Sequence, residues 1–241
     1  MAFTFIASTA GADGGGGAVT STDAAGALNV ATADVLVAWC KHEGTNTTFA
    51  FADTGGGNTF TFDAGDETNH SNGDLNSSFG YLLAATADAS FTGRMTVGAA
   101  RPYHSFCLFQ FRPDAGETIA KDGSNTGQGT SASLATGSIA TSGDDVIILG
   151  GYGEYTGTLS TAHQLNGVNA TAVVQTSVVA GANNAAAWYR ILTATAAAAT
   201  ATCTVGSSAW TGGVIAIKST AAGGGGSVVP VLMRQYRQRW S

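Results

Sequence analysis

Short stretches in which apolar residues alternate with Thr, Ser or Ala follow one another along this chain, each closed by a cluster of Gly, Asn and Asp. A period of two is the signature of a pleated strand with one face turned to a core. In the first half it predicts strands near 2–8, 28–40, 47–52, 58–63, 79–86, 90–98 and 104–112. In the second it predicts strands near 134–140, 145–152, 158–165, 171–179, 186–194, 199–205 and 212–218. The segments "GADGGGG", "DTGGGN", "DAGDETNHSNGD" and "DGSNTGQGTS" have turn and loop chemistry. Many short strands at this spacing predict a sandwich or a barrel.

The chain also echoes itself. "YLLAATADASFTGRMTVGAA" from Tyr81 parallels "YRILTATAAAATATCTVGSS" from Tyr189, so that Tyr meets Tyr and the TVG at Thr96 meets the TVG at Thr204, both at an offset of 108. "VATADVLVAW" from Val30 likewise parallels "IATSGDDVIIL" from Ile139. The expected architecture is therefore all-β: one large jelly-roll-like antiparallel sandwich over 1–220, with pseudo-repeats at about 1–115 and 116–220, followed by a hinge and tail over 221–241.

Composition supports strands over helices. There are 34 Gly and 3 Pro, and only 11% of residues are charged, so few runs carry the Glu, Lys, Leu and Arg of a solvated helix. Charge is divided unevenly. Residues 1–220 hold seven basic and sixteen acidic side chains, a formal charge of −9, whereas 221–241 hold three arginines and no acid. The body would repel nucleic acid, and only the tail would attract an acidic surface. Cys40, Cys107 and Cys203 lie in or beside strand-like runs without CxxC spacing, which predicts buried free thiols. No secretory signal and no membrane span is expected, which predicts synthesis in a reducing cytoplasm.

The succession "ATADVLVAW", "DTGGGNTFT", "FRPDAGETIAKDGSNTGQGTSAS", "TSGDDVIIL" and "TATCTVGSSAWTGGVIAIK" resembles a group of β-sandwich structural proteins of tailed-phage virions and related prophage-derived proteins, over roughly residues 1–220. The ending "VVPVLMRQYRQRW" looks like the short basic tails of some phage structural proteins. The resemblance implies a virion surface protein, made in the host cytoplasm, with major capsid or other virion proteins as partners. It brings no catalytic motif with it.

Signs of chemistry are sparse. G-x-S-x-G, HExxH, P-loop and Rossmann patterns are all missing from the sequence, and His42, His70, His104 and His163 stand far apart. No catalytic residue and no cofactor is expected. Asp63, Asp66, Glu67 and Asp74 in "DAGDETNHSNGD" offer hard oxygen ligands and form a weak Ca²⁺ candidate, set against a plain solvated loop. Tyr152 and Tyr155 in "GGYGEYTG" are the candidate contact for a glycan or receptor, because a Gly-rich aromatic loop presents stacking surface.

The last segment differs from the rest. Four glycines at 223–226 predict a swivel. Beyond Pro230, Leu232, Tyr236 and Trp240 fall at i, i+4 and i+8, with Arg234, Arg237 and Gln238 beside them. Val231, Leu232, Met233, Arg234, Tyr236, Arg237, Arg239 and Trp240 are therefore the expected partner-binding residues of an anchor that orders on docking. Two functions are expected in turn: a non-enzymatic capsid decoration or cement protein, oligomeric on the particle and held by this tail, or a tail- or fibre-associated module that binds a host glycan or receptor. A polysaccharide-active enzyme is the third and weakest alternative.

Overall fold

The computed structural model describes residues 2–13, 18–44, 48–70, 75–142, 145–154, 159–179 and 182–221. Ten strands form the first half: β1 (Phe3–Ala12), β2 (Val19–Asp23), β3 (Leu28–Val30), β4 (Val35–Glu43), β5 (Phe49–Asp53), β6 (Thr61–His70), β7 (Leu75–Leu82), β8 (Asp88–Phe91), β9 (Gly93–Arg101) and β10 (Ser105–Pro113). Nine form the second: β11 (Glu117–Gly129), β12 (Ser133–Ala135), β13 (Asp145–Glu154), β14 (Thr161–Leu165), β15 (Val168–Asn169), β16 (Ala172–Val179), β17 (Ala182–Leu192), β18 (Ala201–Thr204) and β19 (Trp210–Ala221). All pairings between them are antiparallel, as expected for the all-β sandwich class.

No sheet mixes strands of the two halves. The first half makes a five-stranded sheet, β1-β10-β4-β7-β6, and a smaller one, β2-β9-β5; the second makes β11-β19-β13-β17-β16 and β12-β18-β14-β15. Ranked by sequence within its own sheet, each five-stranded sheet has the order first, fifth, second, fourth, third. The cross-sheet rows agree as well. Ser8, Phe109, Val37, Tyr81 and Thr61 lie side by side in the first sheet, and Ser124, Ile215, Leu149, Tyr189 and Ala172 in the second. Thr96 lies between Ser21 and Ala50, and Thr204 between Ser133 and Thr161. Among the described residues each half thus keeps its own sheets.

Some predicted elements come out differently. The loop expected at "DGSNTGQGTS" lies within β11, 13 residues long, because its polar side chains sit on an edge strand whose backbone is satisfied by β19. The strand expected over 28–40 is broken at Ala33, whose φ of 68° turns the chain between β3 and β4.

The five-stranded sheets pack face to face. β1 lies on β16, β10 on β17, β4 on β13, β7 on β19 and β6 on β11. Equivalent strands thus exchange partners, as across a two-fold axis running along β4 and β13. This arrangement explains why β4 is buried along its whole length. Leu36, Ala38 and Cys40 point into the first sandwich beside Phe51, Phe91, Met95 and Phe106. Val35, Val37 and Trp39 point across into a shared core with Ile147, Leu149, Ile215 and Ile217. Val146, Ile148, Trp188 and Val214 fill the second sandwich. The repeated tyrosines both face the shared layer. Tyr189 stacks on Phe5 at 5.0 Å, and the Lys121 ammonium stands 5.6 Å from the Tyr81 ring. Cys40, Cys107 and Cys203 are buried free thiols, and burial raises the pKa of all three.

Candidate functional site

Alternation along "VLVAWCKHE" carries the interlobe face of β4 from Val35, Val37 and Trp39 to Lys41 and Glu43. Toward the end of β4 the shared layer therefore turns from apolar to charged without becoming exposed: Lys41 is wholly buried and Glu43 nearly so. Space for the lysine comes from the other lobe. A Cβ at Gly153 would lie 2.8 Å from Lys41 Cγ, so only glycine lets the stem pass. At the end of the stem Nζ donates to Asn183 Oδ1 at 3.0 Å. Asn183, the second residue of β17, lies in the left-handed region, φ 56°, which asparagine tolerates better than most residues. Burial pulls the Lys41 amine down to about 8, opposed by the fields of Glu43, Asp13 and Glu154.

Polar groups continue on both sides. Across the lobes, Ser77 Oγ donates to Thr211 Oγ1 at 2.7 Å. In the second lobe, buried Glu154 accepts from the Tyr152 hydroxyl and from Ser208 Oγ, and burial raises its pKa. In the first, His42 Nδ1 lies 2.9 Å from the Glu43 carbonyl oxygen, its ring 4.9 Å from Phe49 and 6.0 Å from His104. Burial lowers His42 to about 4 and lowers His104 as well, so both are neutral at neutral pH. The His104 backbone N–H donates to Asp13 Oδ2 at 3.3 Å.

The acidic run lies elsewhere and does something else. "DAGDETNH" belongs to strand β6, not to a loop, and its carboxylates already have a cation. Lys121 Nζ of β11 reaches Asp63 Oδ2 at 2.7 Å and both Asp66 oxygens at 2.7 and 2.8 Å. Tyr81 donates to Asp63 at 2.9 Å, Ser124 donates to Asp66, and Glu67 accepts from Asn76 at 2.8 Å. Asp63 and Asp66 are thus committed to a pin between β6 and β11 and Glu67 to Asn76 of β7, and the Ca²⁺ candidate is corrected accordingly. Asp74 lies outside the described residues. Among the described residues no group of three or more metal-ligating side chains converges.

Tyr152, expected on a presenting loop, is wholly buried in the second core with its hydroxyl on Glu154; a glycan or receptor contact through it is corrected. Tyr155 and the entire anchor, Val231, Leu232, Met233, Arg234, Tyr236, Arg237, Arg239 and Trp240, lie outside the described residues.

A Ser–His contact also appears. Ser160 Oγ lies 2.8 Å from His163 Nε2, and Gln175 Nε2 donates to the Ser160 carbonyl at 2.7 Å. Burial holds His163 near 4, with its ring 4.9 Å from Trp188. Ser160 is itself buried, and among the described residues no carboxylate is hydrogen-bonded to His163, so the pair lacks the orienting acid of a hydrolytic triad. Sequence reasoning missed the Lys41 cluster. Its one available signal was a lysine directly following five apolar residues and a cysteine in a run expected to be buried. No family model, no curated protein and no solved structure matches this chain.

Proposed function

We propose that this chain is a non-enzymatic structural protein of a tailed-phage virion, a capsid decoration or cement protein held by residues 223–241. The observation that carries the reading is the polarity of the fold. Ala221, the last described residue, pairs with Glu117 at the end of the molecule that also holds the Phe3–Pro113 pairing. The ends of β4 and β13 lie at the other pole. An anchor leaving Ala221 would hold one pole against a particle and turn the other outward. Many such anchors on a lattice act together, because each bound copy stabilises the assembled state by mass action.

Lys41, Lys121 and Ser77 are spent on contacts between the two halves, and the buried Tyr152 weakens the alternative of a fibre-associated glycan binder. Imaging of purified particles tests the reading. Paired lobes at every capsomer site, with the pole of Ala221 toward the shell, are expected; a location confined to the tail tip, or absence of the protein from purified particles, contradicts it.

A further inference from the structure

We propose that Lys41 and Asn183 are joined in the mature protein by an intramolecular isopeptide bond, which covalently staples the first sandwich to the second. The two lysines that cross between the lobes show why. Lys121 meets two carboxylates, and those partners outweigh burial and raise its pKa. Lys41 is buried more deeply, yet among the described residues its only hydrogen-bond partner is the neutral Asn183 carboxamide, and no carboxylate is in ion-pair contact with it. Burial disfavours an ammonium in that position, because one neutral hydrogen-bond partner replaces little of the hydration it loses. The neutral amine, favoured by the fall of its pKa to about 8, has a lone pair and is a nucleophile.

Its target is already in place. An amine 3.0 Å from a carboxamide oxygen is a small torsional change from attack on the adjoining Cγ, and burial of both residues keeps out water that would compete. The Nζ–Cγ bond forms as the C=O opens to a tetrahedral oxyanion. Collapse of that intermediate breaks the Cγ–Nδ2 bond, and Nδ2 leaves as ammonia. The proton given up by the amine passes to the departing nitrogen through a carboxyl group. Glu43 is assigned that transfer, since it follows Lys41 by two residues on the same face of β4 and heads the carboxylates whose fields act on the amine. Glu154 is occupied by Tyr152 and Ser208. Amine and primary amide become secondary amide and ammonia, so the atoms balance without oxidant, reductant or co-substrate. The product also removes the buried charge.

The bond would bridge residues 142 apart in sequence and belonging to different lobes, at the pole away from Ala221. It is independent of the virion reading, since it concerns the joining of the lobes and not what they attach to.

Mass spectrometry of the purified full chain decides it. The expected intact mass is lower by one ammonia than the sequence requires, and proteolysis releases a branched peptide joining Lys41 to Asn183. An intact mass equal to that of the sequence, with linear peptides only, overturns the proposal. So does loss of ammonia without the branched peptide, which would mean a succinimide at an asparagine. Asn183→Ala and Lys41→Met are expected to return the mass to the sequence value; ammonia loss that persists in either contradicts the assignment. Glu43→Gln is expected to leave most of the chain unlinked while retaining the circular-dichroism spectrum of the parent, and complete linkage in that variant would remove Glu43 from the mechanism.

Discussion

The indole of Trp39 lies directly against the backbone of Gly151 in the opposite lobe, and its Nε1 donates to the Tyr152 carbonyl oxygen at 2.9 Å. Trp39 and Gly151 occupy equivalent places in their sheets: Trp39 lies between Cys107 and Phe79, Gly151 between Gly213 and Ala187. At the point where β4 meets β13, one lobe is therefore all bulk and the other all backbone. Two copies of the first lobe would set Trp39 against Trp39, so the complementarity favours pairing of unlike halves.

Substitutions on the two sides of this contact are expected to destabilise for opposite reasons. Trp39→Ala leaves a cavity and removes the hydrogen bond to the Tyr152 carbonyl, a loss of about 3–5 kcal/mol. Gly151→Ala places a methyl group inside the indole and is expected to cost about 1–3 kcal/mol by overpacking. Gly65→Ala, where a Cβ meets nothing within 4 Å, is the control and is expected to change stability by no more than about 0.5 kcal/mol. Denaturant titration of the three variants checks the ranking.

Lys121 is expected to matter more than a surface ion pair. Lys121→Ala strands Asp66, whose side chain is 1% exposed, but Lys121 itself keeps 18% exposure. The expected loss is about 2 kcal/mol, below the range for a fully buried pair. Asp63→Ala is expected to cost less, because Asp63 is 42% exposed and Asp66 still holds the lysine. A double-mutant cycle between Lys121 and Asp66 measures the coupling directly.

Stability is expected to fall on mild acidification. His42 and His163 titrate near 4 in the folded chain, well below the ordinary 6.5 of a histidine, because burial disfavours the imidazolium. Between those values the unfolded chain binds protons that the folded chain does not, so stability rises with pH across the window and is lost as pH drops from 6.5 toward 4. Thermal melts through this range check the sign, and His163→Gln is expected to flatten the slope by removing one of the contributing groups, which include His104.

Several features were legible in the residues and others were not, for physical reasons. The echo of Tyr81 in Tyr189 was readable because both tyrosines pair with the central strand of a five-stranded sheet, at Val37 and Leu149, and both turn to the shared layer. Strand β11 was hidden, since a strand at a sheet edge needs hydrogen-bonding backbone more than apolar side chains, and "DGSNTGQG" has the composition of a turn. Tyr152 looked available because glycines surround it; those glycines instead admit Trp39 and Lys41 from the other lobe. The Lys41–Asn183 contact was beyond reach of any local pattern, because it forms only when two sheets from distant parts of the chain meet.

Particle loading by a chain that ends at Ala221 bears most directly on the anchoring role proposed here. Every strand of both sandwiches is complete by that residue, so the shortened protein is expected to fold with the unfolding midpoint of the full chain. It is nevertheless expected not to co-sediment with particles that the full chain saturates, because the aromatic and arginine side chains that would dominate the interface are gone. Loading of the shortened chain at the full-chain occupancy would contradict the account and move the attachment site to a face of the sandwiches.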